Sequence, residues 1–367
     1  MTDPADAQQT LLMNLWEGLP LVPFRSVLSR FGIDPYLIAL ILTVAFASLL
    51  PVHGMGAEIM DQVVYAAVAL LFFLYGAKLS PKAVLEGLLH WRLQSIVFLS
   101  TFLLFPLIGL GITWAVSPFL PDELVIGLMF LCVLPSTVQS SIAFTSIARG
   151  NVPAALCSAS LSNLVGMVLT PLLVALLLSS SEMSFSLDSL WKILLQLLVP
   201  FLAGQALRPL IGGWLAARKR VVGLVDRGSI LLVVYAAFSQ GMVAGIWTQL
   251  GWTDLALVLV LDVLILALVL AVTTLVSRRG GFAIEDEIAI VFCGSKKSMA
   301  AGIPMAHILF PAATMGMIVL PLMLFHQIQL FVCATLAQRY ARRPDGKVPG
   351  EVEEPRAGKV TAVPSSV

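Results

Sequence analysis

The sequence predicts an all-α polytopic membrane protein with ten transmembrane helices in an inverted 5+5 repeat. Three observations carry that prediction. Only 12% of the 367 residues are charged and 59% are hydrophobic, with mean hydropathy +0.96, whereas a soluble domain carries about 25% charged residues. Apolar windows of about 20 residues, the length that crosses a bilayer, recur along the whole chain. Two of those windows carry matching polar interruptions at matching places in the order.

The apolar windows place spans at 34–51, 61–79, 93–117, 123–148, 153–179, 190–214, 225–249, 253–277, 284–310 and 312–338. Residues 1–33 read as a cytoplasmic lead-in. Asp3 and Asp6 stand where a secretory signal would be basic. The Pro-, Gly- and charge-rich stretch 341–367 reads as a disordered cytoplasmic tail.

Basic residues test this count. Lys78, Lys82 and Arg92, then Arg149, then Arg208, Arg218, Lys219, Arg220 and Arg227, then Arg278 and Arg279 fall in alternate connections. The intervening connections are nearly bare, with Lys192 as the exception. Basic loops stay on the cytoplasmic side, so both termini are expected in the cytoplasm of a bacterial inner membrane.

The repeat is visible as GMVLTP (166–171) and GMIVLP (316–321), with TVQSSIA (137–143) and SKKSMAA (295–301) in the spans just before them. The halves run over 34–179 and 190–338. Five is odd, so the halves enter the membrane from opposite sides. Inverted repeats are common in secondary transporters, whose substrate sites lie at broken helices near the midplane.

The fourth span is broken by Pro135, amid Ser136, Thr137, Gln139, Ser140 and Ser141. Proline removes a backbone donor and disrupts the helix. The freed backbone groups need polar partners or a water-filled cavity. The ninth span breaks over Gly294, Ser295, Lys296, Lys297 and Ser298, at mid-depth. Two ammonium groups there cost about 2.5–3.5 kcal/mol each on insertion scales. They are expected to face a cavity or crossing point, where they attract an anionic substrate or stand in for a coupling cation. The plainer alternative is a misplaced span, with the lysines at an interface.

These residues resemble the bile acid:sodium symporter superfamily, and more closely its SBF-like bacterial branch. The resemblance covers about residues 25–343 and is strongest at LPSTVQSSIAFTSIARGN, FCGSKKSMAAGIPMAHILFP and PLMLFHQIQL. It implies ten helices with 4 and 9 unwound and crossing. It also implies a panel of helices 1, 2, 6 and 7 moving against a core of the rest. In sodium-coupled members the first crossing has Ser-Asn, where this chain has Ser141-Ile142. Their second crossing has a sodium-binding glutamate followed by Gln-Asn, where this chain has Phe292 and Lys296-Lys297. Two readings stay open: a lysine ammonium fills the vacated ion site, or coupling has passed from sodium to protons.

Other buried polar residues are weighed singly. Asp262, central in the eighth span, is expected to pair with Lys296 or Lys297, or else to be neutral nearer an interface. His326 reads as structural or as a proton-coupling group. Ser158 and Ser162 share a helix face; Ser158 suits packing, while Ser162 and Asn163 approach the fourth-span break as candidate site residues. The four cysteines, Cys132, Cys157, Cys293 and Cys333, read as small buried hydrophobes, with no metal or cofactor motif.

The leading functional expectation is a secondary transporter of a small organic anion. The chain contains no P-loop motif for ATP and no basic, aromatic surface for nucleic acid. The alternatives are a regulatory membrane protein that has lost transport and an intramembrane Ser-Lys hydrolase. Adjacent helical residues point in different directions, which counts against Lys297-Ser298 as a catalytic pair.

Overall fold

The computed structural model describes residues 35–79, 90–178, 187–245 and 250–343. The expected lead-in over 1–33 and all but the start of the expected tail lie outside these residues.

Among the described residues every regular element is helical. The helices are α1 (Pro35–Leu49), α2 (Met55–Lys78), α3 (Trp91–Val116), α4 (Asp122–Val133), α5 (Val138–Ile147) and α6 (Val152–Leu177). They continue with α7 (Leu187–Ala217), α8 (Lys219–Val243), α9 (Trp252–Arg279), α10 (Ile284–Gly294), α11 (Met299–Leu309) and α12 (Ala312–Ala341). The fourth and ninth expected spans are thus each two helices, α4–α5 and α10–α11.

Helix ends follow local chemistry. Pro121 and Pro311 precede the first turns of α4 and α12, where a missing N–H costs nothing. Asn151 Oδ1 and Ser298 Oγ cap α6 and α11 by accepting from Ala154 N (3.0 Å) and Ala301 N (3.1 Å). Acidic Glu285, Asp286 and Glu287 open α10, and Arg278 and Arg279 close α9, each sign matching the helix dipole.

Seven of the described helices are long and apolar enough to cross a membrane, and α4–α5, bent by 58°, makes an eighth when counted as one span. Helix α1 has only 15 residues, about 22 Å against an apolar layer of about 30 Å. The outer surface is apolar, with Leu49, Trp114 and Leu210 almost fully exposed. Lys296, Lys297, Asp262 and Gln329 are fully buried. Polar groups inside and apolar groups outside suit a bilayer, where exposed carbon costs nothing.

Helix α2 packs along α7, and α8 packs on α1 and α2. The α2–α7 crossing is intimate: a Cβ on Gly76 would strike the Phe201 carbonyl, and one on Gly204 would strike the Phe73 carbonyl. Small residues at such crossings let backbones close up where no hydrophobic effect drives association. The remaining helices pack around the two breaks. There Gly127 of α4 lies against the Ile318 carbonyl and the Pro321 ring of α12. The acidic start of α10 is tied down on three sides. Asn151 donates to Asp286 at 2.7 Å, Arg343 to Glu285 at 3.1 Å, and Tyr340 to Glu287 at 2.8 Å.

Candidate functional site

Pro135 ends α4 and leaves residues 134–137 outside regular helix. The backbone they free finds partners across the fold. Ser136 N donates to Ser162 Oγ (3.0 Å), and its carbonyl accepts from Asn163 Nδ2 (2.6 Å). The Pro135 carbonyl accepts from Ser298 N at 2.9 Å, which ties the first break to the second. Pro135 also presses on Gly166, where a Cβ would sit 2.7 Å from its ring.

The second break spans 295–298. Gln329 of α12 holds Lys297 from both sides of its backbone. Lys297 N donates to Gln329 Oε1, and Gln329 Nε2 donates to the Lys297 carbonyl, each at 2.9 Å. Thr137 Oγ1 donates to the same carbonyl at 2.8 Å. The breaks therefore meet, and each is held by polar side chains of the next long helix, α6 for the first and α12 for the second.

The two lysines differ sharply. Lys297 Nζ donates to the carbonyls of Thr101 (2.8 Å), Cys132 (2.9 Å) and Leu134 (2.7 Å). It also lies 4.0 Å from the Phe105 ring centroid. Three acceptors match the three donors of an ammonium. Each carbonyl has a reason to be free. Those of Cys132 and Leu134 lie at the broken end of α4. Around Thr101, α3 makes a π turn over Ser100–Leu104, and Phe105 N donates to the Ser100 carbonyl. Pro106 has no N–H to offer. Thr101 is thus left without a helical donor. Lys296 Nζ has no hydrogen-bond partner among the described residues. It sits over Phe144 at 3.8 Å and Phe292 at 5.5 Å, in a cation–π enclosure.

Beside the breaks lies a cavity of about 940 Å³. The first residues of α5 (Val138, Gln139, Ser140) and of α11 (Met299, Ala300) line it, with Thr137, Ser298, Asn163 and His326. Tyr36, Tyr75 and Phe201 supply aromatic wall, and Lys78, Arg220, Arg227 and Asp226 supply charge. Lys78 and Asp226 are paired at 2.5 Å. Tyr75 of α2 reaches across to donate to the Ala300 carbonyl at 3.1 Å. Gln329 Nε2 donates to His326 Nδ1 at 2.8 Å. An amide nitrogen only donates, so the neutral ring carries its proton on Nε2.

Two crossing breaks beside a polar-ended cavity are the architecture of a transporter. Residues 34–342 match the SBF-like CPA transporter family. The chain belongs to that family. It is 56% identical over 327 residues to "Uncharacterized protein PA2026" of Pseudomonas aeruginosa, covering 89% of this chain and 98% of the relative. It is 50% identical over 313 residues to "Putative symporter YfeH" of Escherichia coli, covering 85% and 94%. It is 28% identical over 319 residues to "Sodium/bile acid cotransporter 7" of Xenopus tropicalis, covering 84% and 92%. These relatives are consistent with the bile acid:sodium symporter superfamily, and the chain is a multi-pass membrane transporter and not an enzyme.

Within this SBF-like transporter, the expected site residues divide into two sets. Thr137, Gln139, Ser140, Asn163, Ser298 and His326 line the cavity. Pro135, Ser136, Ser141, Ser162, Gly294, Ser295, Lys296 and Lys297 are buried at or beside the breaks and do not line it. Ser141 donates to the Phe292 carbonyl at 3.1 Å and Ser136 to the Cys293 carbonyl at 2.6 Å. Ser295 donates to the Val291 carbonyl in its own helix at 2.6 Å.

Asp262 corrects an expectation. It pairs with neither lysine, and neither of its oxygens has a hydrogen-bond partner among the described residues. The physical reason is competition: the freed carbonyls take all three Lys297 donors, and Lys296 is held by aromatic rings. Of the two places expected for the lysines, a cavity or a crossing point, they take the crossing point: both are buried where the breaks meet and neither lines the cavity. Sequence reasoning missed Gln329, Ser100 and Thr170. Ser100 donates to the Gly294 carbonyl and Thr170 to the Val133 carbonyl, each at 2.8 Å. Each is a lone polar residue in an apolar helix, a pattern that reads as packing. Only Pro106, which leaves Thr101 without a donor, carried a sequence signal.

Proposed function

We propose that the chain is a symporter-like secondary active transporter of a small organic anion in the bacterial inner membrane. It works by alternating access. Its ten spans form an inverted five-plus-five repeat, with α1, α2, α7 and α8 as a panel, the other helices as a core, and both termini cytoplasmic. The observation that carries the reading is the cavity beside the two breaks. The N-termini of α5 and α11 open onto it, and helix N-termini attract anions. Three basic side chains and one acidic side chain line the same space, and its walls are largely aromatic and aliphatic. That combination suits a carboxylate or sulfonate on an apolar body.

Lys297 supports a sodium-independent cycle. Its ammonium occupies an oxygen-lined position next to the break, where a mobile cation would otherwise bind. The proton is then the coupling ion, with His326 as a titratable group on the cavity wall.

Purified protein in proteoliposomes tests this. A panel of labelled amphipathic carboxylates and sulfonates is offered under a proton gradient or a sodium gradient. The proton gradient is expected to drive accumulation of at least one member, and that member to raise the melting temperature. Accumulation driven only by sodium overturns the coupling assignment. Stabilisation by organic amines in place of anions overturns the substrate class.

A further inference from the structure

A second concavity, of about 630 Å³, lies away from the breaks on the outer face of α9 and α12. Leu270, Leu275, Phe331 and Val332 wall it, and Arg278 and Arg339 stand at one end. Leu275, Phe331 and Val332 are 47%, 67% and 37% exposed, so this is open surface. Both arginines belong to the last turns of helices long and apolar enough to span a membrane. Their guanidinium groups therefore sit where lipid headgroups begin. Leu270 precedes Arg278, and Phe331 precedes Arg339, by eight residues, about 12 Å of helix. The trough thus runs from headgroup level into the apolar layer.

The acid facing Arg278 is Glu287, which is nearly fully buried. Its two oxygens accept from Arg278 Nε at 3.2 and 3.3 Å, and one accepts from the Tyr340 hydroxyl at 2.8 Å. Glu287 thereby orients Arg278 by its Nε edge. The terminal nitrogens of Arg278 and the whole guanidinium of Arg339 make no ion pair among the described residues. A soluble anion would leave the apolar trough unused, and an uncharged lipid would leave the arginines unused.

We infer that this trough is a binding site for an anionic phospholipid. The phosphate lies on Arg278 and Arg339, and one acyl chain runs along Leu275 and Phe331. Basic pockets between spans at a membrane surface bind such headgroups. The site is separate from the cavity at the breaks and stands whatever solute the protein carries.

The test uses the full-length protein in detergent with dioleoyl phosphatidylglycerol or dioleoyl phosphatidylcholine. Native mass spectrometry reads retained lipid, and thermal melting reads stabilisation. Phosphatidylglycerol is expected to be retained and to raise the melting temperature, and phosphatidylcholine to do neither. Arg339→Gln should weaken that retention about fivefold. Arg278→Gln also strips Glu287 of its partner, so Leu275→Trp serves as the second variant. It fills the trough without touching charge and should likewise lower retention. Equal retention of both lipids overturns the site, as does parent-like retention by both Arg339→Gln and Leu275→Trp. A melting rise with inorganic phosphate equal to that with phosphatidylglycerol overturns the assignment to a lipid.

Discussion

At the end of α10 the carbonyls of Phe292, Cys293 and Gly294 each accept a neutral hydroxyl, from Ser141, Ser136 and Ser100. At the end of α4 only Val133 receives a hydroxyl, from Thr170, while Cys132 and Leu134 share the Lys297 ammonium. Both helix ends carry the partial negative charge of a C-terminus. One is capped by dipoles and the other by a full cation that also gathers the Thr101 carbonyl from the π turn. The backbone between the helices is treated alike in both places. Ser162 and Asn163 bracket Ser136, and Gln329 brackets Lys297. The difference therefore lies in the caps and not in the scaffold.

The largest expected effect is at Lys297. Lys297→Met leaves three buried carbonyls without a donor, at about 1–3 kcal/mol for each stranded acceptor, and should destabilise the purified protein more than any other change here. The neutral caps at α10 have no counterpart to so large a loss. Melting temperature reads it, and a variant that melts with the parent would erase the contrast between the caps. Next come the brackets. Gln329→Leu strands the Lys297 N–H, about 1–3 kcal/mol, and also removes the bond to His326 and one of the two bonds to the Lys297 carbonyl, which keeps Thr137. Asn163→Leu strands only the Ser136 carbonyl, at the lower end of the same range. Urea unfolding followed by tryptophan fluorescence should rank them in that order, and the reverse order would break the parallel between α6 and α12. The smallest effect belongs to Lys296. Its amine has no hydrogen bond to lose among the described residues, so Lys296→Met gives up about 2 kcal/mol of cation–π attraction, offset by the removal of a buried charge, for a net change smaller than that of Lys297→Met. A loss as large as that of Lys297→Met would mean that the two lysines act as one unit.

Much of this was legible beforehand. Pro135 within a run of hydroxyls announced a break, and two adjacent lysines in apolar sequence announced another. The helical windows could be read because spans of this length need almost uninterrupted apolar residues. The edges moved where local signals were weak. Helix α2 starts at Met55, ahead of the expected 61, because Glu58 and Asp61 depress the apolar window without breaking the helix.

What could not be read was which partner each polar group takes. Lys297 finds oxygens 163, 165 and 196 residues away, and nothing local in the sequence encodes those approaches. Asp262 shows the limit from the other side, since opposite charges buried in neighbouring helices suggest a pair that packing does not make. The sequence alone determined that the chain is helical, membrane-embedded and interrupted at two places, because hydropathy and proline act over one turn or one span. Tertiary structure decided that one lysine is bound and the other caged. It did so because the carbonyls that choose between them are freed at the end of α4 and in the π turn of α3, and only packing brings those two places together.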